Sequence, residues 1–267
     1  MTEQTDQAPV TPRRRWRWRH TRPITSVLLL TGGLAAAFAI YTWLLVDWGP
    51  MGSVDLALDR DYPIQSLLPW LHALDRIGQR AVCLPILGLV IAVVSWRHRA
   101  ARPLLVGAVG VVAINLVVLI LKVWLGRGAP LENQPAFFVN GQMYPSGHTA
   151  NIIVVYGTCV YLLSHYAHPS RRTRWILVGV VSFLSTVMLC TSLLLQWHWF
   201  SDLVGGYLIG GVVLAVTVGI DAAVPFRSHR LIVTTPGQTA RAAALDSSAQ
   251  AAHDESAAPV ADRPSSH

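Results

Sequence analysis

Apolar residues gather in six long runs, at about 23–46, 79–96, 103–125, 148–166, 175–197 and 203–220. A helix needs about 20 largely apolar residues to cross the hydrocarbon core of a bilayer. Helices are the natural spanning element, because lipid offers the backbone no hydrogen-bond partners. The pattern therefore predicts an all-α, integral-membrane bundle of six transmembrane helices. No lysine or aspartate interrupts a run at mid-depth, and Lys122 stands near the end of the third. Between the first two runs, Ile64, Leu67, Leu68, Leu71 and Leu74 recur at helical spacing, after Pro63 and before Gly78. This spacing predicts an external helix between spans one and two, either interfacial on the outer leaflet or packed on the mouth of the bundle.

Charge orients the spans. With the N-terminus inside, 16 of the 21 basic residues fall in inside segments: the run Arg13 to Arg22, then Arg97, Arg99 and Arg102, then Arg171, Arg172 and Arg174, then four in the C-terminal tail. Arg60, Arg76, Arg80, Lys122 and Arg127 fall outside. The positive-inside rule thus predicts a multi-pass protein of the cell membrane with both termini cytoplasmic. Trp43, Trp48, Trp96, Trp124, Trp175, Trp197 and Trp199 stand at span ends, as an aromatic belt would. Three parts are expected: a basic cytoplasmic segment at 1–22, a membrane domain at 23–226 and a disordered cytoplasmic tail at 227–267, rich in Ala, Ser, Pro and Asp. The first run follows arginines as a signal peptide would, but it continues to Val46 and reads as a retained helix.

Composition narrows the class. Charged residues make up 13% of the chain and hydrophobic ones 52%, against roughly 25% and 45–50% in soluble domains. A net charge of +7 would ordinarily raise nucleic acid as a partner. Here the arginines flank apolar runs, so the partner is a membrane and not nucleic acid. Cys83, Cys159 and Cys190 lie far apart inside apolar runs and read as small buried hydrophobes.

Three polar segments land on the same, outer face: Lys122 to Pro130, Tyr144 to Thr149, and Gln196 to Asp202. In Pro145-Ser146-Gly147-His148 a helix start supplies free amides, a hydroxyl, a close-approach glycine and an imidazole, the makings of an anion site. Ser146 as a plain helix cap is the simpler alternative. His198 and Asp202 stand four apart, so on a helix the carboxylate reaches the imidazole and frees its other nitrogen for attack. A solvated pair, or a zinc site built from two histidines and the aspartate, fits the same residues. Lys122 and Arg127 add positive charge, with snorkelling and headgroup contact as their alternatives. Together the set suits an anionic phosphoryl group.

These segments resemble the type-2 phosphatidic acid phosphatase superfamily, membrane lipid phosphatases related to vanadium haloperoxidases. The family pattern is Lys, six residues, Arg-Pro; then Pro-Ser-Gly-His; then Ser-Arg, five residues, His, three residues, Asp. The second part is complete at Pro145–His148, the third keeps His198 and Asp202, and the first keeps Lys122 and Pro130. Ala129 and Ser192 stand where the family has arginines. The resemblance implies His198 as nucleophile through a phosphohistidine, Asp202 as its orienting partner and His148 as acid and base. Lys122, Arg127, Ser146 and the Gly147 amide are then expected to hold the phosphate, with Arg127 standing in for a missing arginine. It implies no metal or other cofactor, and a lipid phosphate substrate such as phosphatidic acid, phosphatidylglycerol phosphate or a polyprenyl diphosphate. A lipid-linked phosphotransferase using the same histidine, or a non-catalytic lipid-binding protein, are the other readings.

Overall fold

The computed structural model describes residues 24–47, 50–59 and 64–223. The expectations for 1–22 and 227–267, and for Trp48 and Pro63, lie outside the described residues. Helices follow in order: α1 (Ile24–Asp47), α2 (Pro50–Leu58), α3 (Leu68–Asp75), α4 (Arg80–His98), α5 (Arg102–Leu125), α6 (Gly147–Asn151), α7 (Gly157–Tyr166), α8 (Arg171–Leu194) and α9 (Phe200–Ala223). No strand forms among the described residues.

α1, α4, α5, α8 and α9 are each long and apolar enough to cross a membrane, and the protein is an all-helical, multi-pass membrane protein. The fourth expected run, 148–166, is helical but not one α-helix. A π-helical turn, Ile152–Tyr156, joins α6 to α7 without a gap. This composite helix packs against α4, α5, α8 and α9. Thr149, Ala150, Asn151, Ile152, Val154, Val155, Thr158, Cys159 and Leu162 are buried along it. Sitting among helices rather than lipid, it carries polar side chains that a lipid-facing span excludes.

Apolar area drives little association inside a bilayer, so close packing through small residues takes over. α9 illustrates this. A Cβ on Gly206 would lie 2.0 Å from Thr149 Oγ1 and 2.6 Å from the Ser146 carbonyl oxygen. Glycine there lets the start of α6 press onto α9, where Ser146 N–H donates to the Asp202 carbonyl (3.0 Å).

The segment between α1 and α4 forms two helices where one was expected. α2 packs on α1 and α9, and α3 packs on α8 with Leu71 buried and Trp70 exposed. A 3₁₀ turn, Arg76–Gly78, carries α3 into α4. Cys190 is exposed on α8, unlike the buried Cys83 and Cys159. Trp43, Trp96, Trp124 and Trp175 are exposed at helix ends. Trp199 is not part of such a belt: it is buried, with its indole N–H donating to the Gly128 carbonyl (3.0 Å).

Candidate active site

The ends of α4, α5, α6 and α9 surround a cavity of about 590 Å³. Lys122, Gly147, His148 and His198 line it, together with Gly78, Gln79 and Arg80, and with Gln142 and Asn115. Four of the seven residues singled out from the sequence thus line one cavity. Of the other three, Ser146 is buried next to Gly147, and Asp202 and Arg127 are buried outside the lining.

His198 sits in the turn just before α9, not on a helix. Asp202 is in the first turn of α9, where its Oδ2 accepts the Trp199 N–H (3.1 Å). The same oxygen lies 3.4 Å from His198 Nδ1. The pair therefore forms across a helix start, and the spacing of four works for a different geometric reason than a shared helix face. With Nδ1 turned to the carboxylate, Nε2 is the free nitrogen.

Ser146 precedes α6 but makes no capping bond. Its hydroxyl is buried and has no hydrogen-bond partner among the described residues. A buried hydroxyl left unpaired costs free energy, and the Ser146 hydroxyl does not cap α6. Lys122 Nζ donates to the Gln142 carbonyl at the cavity rim. Tyr144, buried below this loop against Phe38 and Phe137, has its phenol pushed well above the ordinary range by burial.

Arg127 departs from expectation. The loop does turn it inward, past Gly126, which caps α5 in the left-handed region at φ 52°. Yet the guanidinium goes into the protein and not to the cavity. Nη1 donates to Asp202 Oδ1 and to Ser201 Oγ (both 2.6 Å), Nη2 to Asp55 Oδ2 (2.6 Å) and Nε to the Pro135 carbonyl (3.1 Å). Its plane lies 4.8 Å from the Phe137 ring centroid. Asp55, from α2, also accepts the Ser201 N–H (2.9 Å) and hydroxyl. With Arg127 1% exposed and both carboxylates as deeply buried, four of the five N–H donors of its side chain are engaged inside the protein. The direct phosphate contact expected of Arg127 does not fit this position, because two carboxylates already occupy the fork. Its guanidinium bridges Asp202, Ser201 and Asp55.

Sequence reading missed three groups. Arg80 is an exposed guanidinium on the cavity wall and makes no salt bridge with a described residue. Asp55 ties α2 to the site. Asp75, at the end of α3, is fully buried with Oδ2 3.9 Å from His148 Nε2. No local pattern marks any of them.

A comparison with curated proteins found no sequence match. Among solved structures the chain is similar to the transmembrane PAP2-type phosphatidylglycerolphosphate phosphatase from Bacillus subtilis, with a TM-score of 0.58 and 21% identity, over 76% of this chain and 98% of that one. At that identity the likeness shows the fold alone. The family model described as PAP2 superfamily matches residues 103–224, a stretch that takes in Lys122, the Pro145–His148 turn, His198 and Asp202. Residues 103–224 thus match the PAP2 superfamily model, and the fold is similar to that of a PAP2-type phosphatase.

Proposed function

We propose that the protein is an integral-membrane phosphatase that hydrolyses a lipid phosphate or diphosphate at the outer membrane face. The observation that carries this reading is one cavity wall bearing His198, His148 and Lys122, with Asp202 directly behind His198. His198 Nε2 attacks phosphorus, and an N–P bond forms as the P–O bond to the lipid breaks. His148 gives its proton to the departing alkoxide. His148 then takes a proton from water, the hydroxide attacks phosphorus, the N–P bond breaks and orthophosphate leaves. Attack places positive charge on the His198 ring, which the Asp202 carboxylate stabilises. Lys122, Ser146 and the Gly147 amide hold the phosphate oxygens, and Arg80 adds the guanidinium that Ala129 and Ser192 lack. The composite helix from Gly147 to Tyr166 acts as the sixth span.

The lipid arm of the reading rests on the cavity's shape. Asn115, Ile114, Val118 and Leu119 extend its lining some seven residues down α5 from Lys122, about 10 Å at 1.5 Å per residue. A polar head over an apolar trench suits an amphiphile. Purified protein is expected to release orthophosphate from at least one of phosphatidic acid, phosphatidylglycerol phosphate and a polyprenyl diphosphate, with EDTA leaving the rate unchanged. No orthophosphate from any of the three would sink hydrolysis; consumption of the lipid phosphate only when a lipid or glycan hydroxyl acceptor is added, with the phosphoryl group recovered on that acceptor, marks a transferase.

Orientation has its own support. Arg171, Arg172 and Arg174 crowd the first turn of α8, where the positive end of the helix dipole disfavours them by about 0.3–1 kcal/mol each. A cytoplasmic location compensates through the positive-inside bias. A cysteine probe at Glu132, in the loop at the cavity end, is expected to react with an impermeant maleimide on intact cells. A probe at Ser170, at the opposite end of the bundle, should react only after lysis. The reverse pattern places the site inside.

A further inference from the structure

We propose that Asp75 is a positioning residue for His148, so that the site holds two histidine–carboxylate pairs and not one. The inference rests on His148 acting as the proton donor in the reading above. Asp75 ends α3 and is fully buried. Its Oδ2 accepts one hydrogen bond, from Gln79 Nε2 (3.0 Å), and its Oδ1 has no partner among the described residues. A buried carboxylate this poorly satisfied is costly unless a cation lies close by. The group within ion-pair range is the His148 ring, whose Nε2 lies 3.9 Å from Oδ2 and which becomes a cation on taking a proton. That distance is too long for a hydrogen bond, so the coupling is one of charge.

The surroundings give the pair its purpose. His198, Lys122 and Arg80 line the same cavity as His148, all positive or able to become so. Each opposes a proton on His148, whereas a general acid must hold one until the leaving group takes it. Asp75 is the negative charge that offsets them. Its approach depends on Gly78: a Cβ there would sit 2.8 Å from Met188 Sδ and 3.2 Å from His148 Cβ. Glycine lets the 3₁₀ turn carrying Asp75 close onto the start of α6. Gln79 then fastens the carboxylate from the cavity wall.

Asp75→Asn keeps the shape and removes a buried charge, so the fold should survive, as checked by thermal unfolding. The variant is expected to lower kcat on a lipid phosphate roughly 10–100-fold with KM little changed, the usual scale for an orienting partner. Asp75→Glu, which keeps the charge, should recover part of the loss. A second readout needs no turnover. Diethyl pyrocarbonate modifies only neutral imidazole, so the pH profile of His148 modification, followed by mass spectrometry, should move to lower pH in Asp75→Asn than in wild type, because loss of the nearby negative charge makes the protonated ring less favourable. Full activity and unchanged modification in Asp75→Asn, alongside an inactive His198→Ala, overturn the pairing and leave the phosphatase reading standing. Equal loss in the Asn and Glu variants marks a packing role and also overturns it. If His198→Ala stays fully active, the phosphatase reading fails, and the modification rate alone decides whether Asp75 governs the charge on His148.

Discussion

His198→Ala is expected to abolish phosphate release, by roughly 10⁴-fold or more, while leaving the protein folded. The magnitude follows from the role. A nucleophile cannot be replaced by a neighbour, and its removal in a comparable catalytic unit costs up to about 10⁶ in kcat. The fold should tolerate the change because the ring lines a cavity rather than filling a core cluster, and it ends a turn outside α9. His148→Ala should be less severe, about 10²–10⁴-fold, since proton transfer is assistance and not bond formation. The measurement is orthophosphate released per mole of detergent-purified protein, beside thermal unfolding of each variant. Wild-type turnover in His198→Ala would eliminate the phosphohistidine route. Equal and partial losses in both variants would instead describe a site that binds phosphate without covalent chemistry.

The parts of this molecule that were legible in the sequence are those encoded locally. Five of the six apolar runs form single helices long and apolar enough to cross a membrane, because in lipid a run of that length has little choice but to satisfy its own backbone. The π turn at Ile152–Tyr156 was not legible. It arises where the most enclosed helix meets four neighbours, and packing rather than propensity decides its local winding. Within the site, Pro145–His148 and the His198–Asp202 spacing stood out because each is a short string with its own chemistry. Asp55, Asp75 and Arg80 did not. Their partners or cavity neighbours lie 72 or more residues away in the chain for Arg127–Asp55 and 146 for Ser201–Asp55, and nothing local distinguishes them from ordinary loop charges. Arg127 shows the same limit from the other side. Its destination depends on two aspartates that only the tertiary fold brings together.

Two arginines near the site are therefore expected to fail in opposite ways. Arg127→Ala leaves Asp55 and Asp202 buried without their shared counter-ion, and removing one partner of such a pair typically costs about 3–5 kcal/mol. Most domains have about 5–15 kcal/mol in total, so the variant should melt far lower or fail to accumulate, with activity lost as a consequence. Arg127→Lys should recover only part of the stability. An ammonium is a point charge, and it does not span Asp202, Ser201 and Asp55 as the planar fork does. Arg80→Ala removes an exposed side chain with no salt bridge among the described residues. It should leave unfolding nearly unchanged but slow phosphate release by roughly 10²-fold, the scale for losing one charge-stabilising donor. Unfolding midpoints and phosphate release, measured on the same preparations, separate the two. If Arg127→Ala melts like wild type and loses only rate, its bonds to both carboxylates must give way when phosphate binds, and Arg127 joins the groups that touch substrate. If Arg80→Ala keeps full rate, Lys122 with the Ser146 hydroxyl and the Gly147 amide suffices to hold the phosphate.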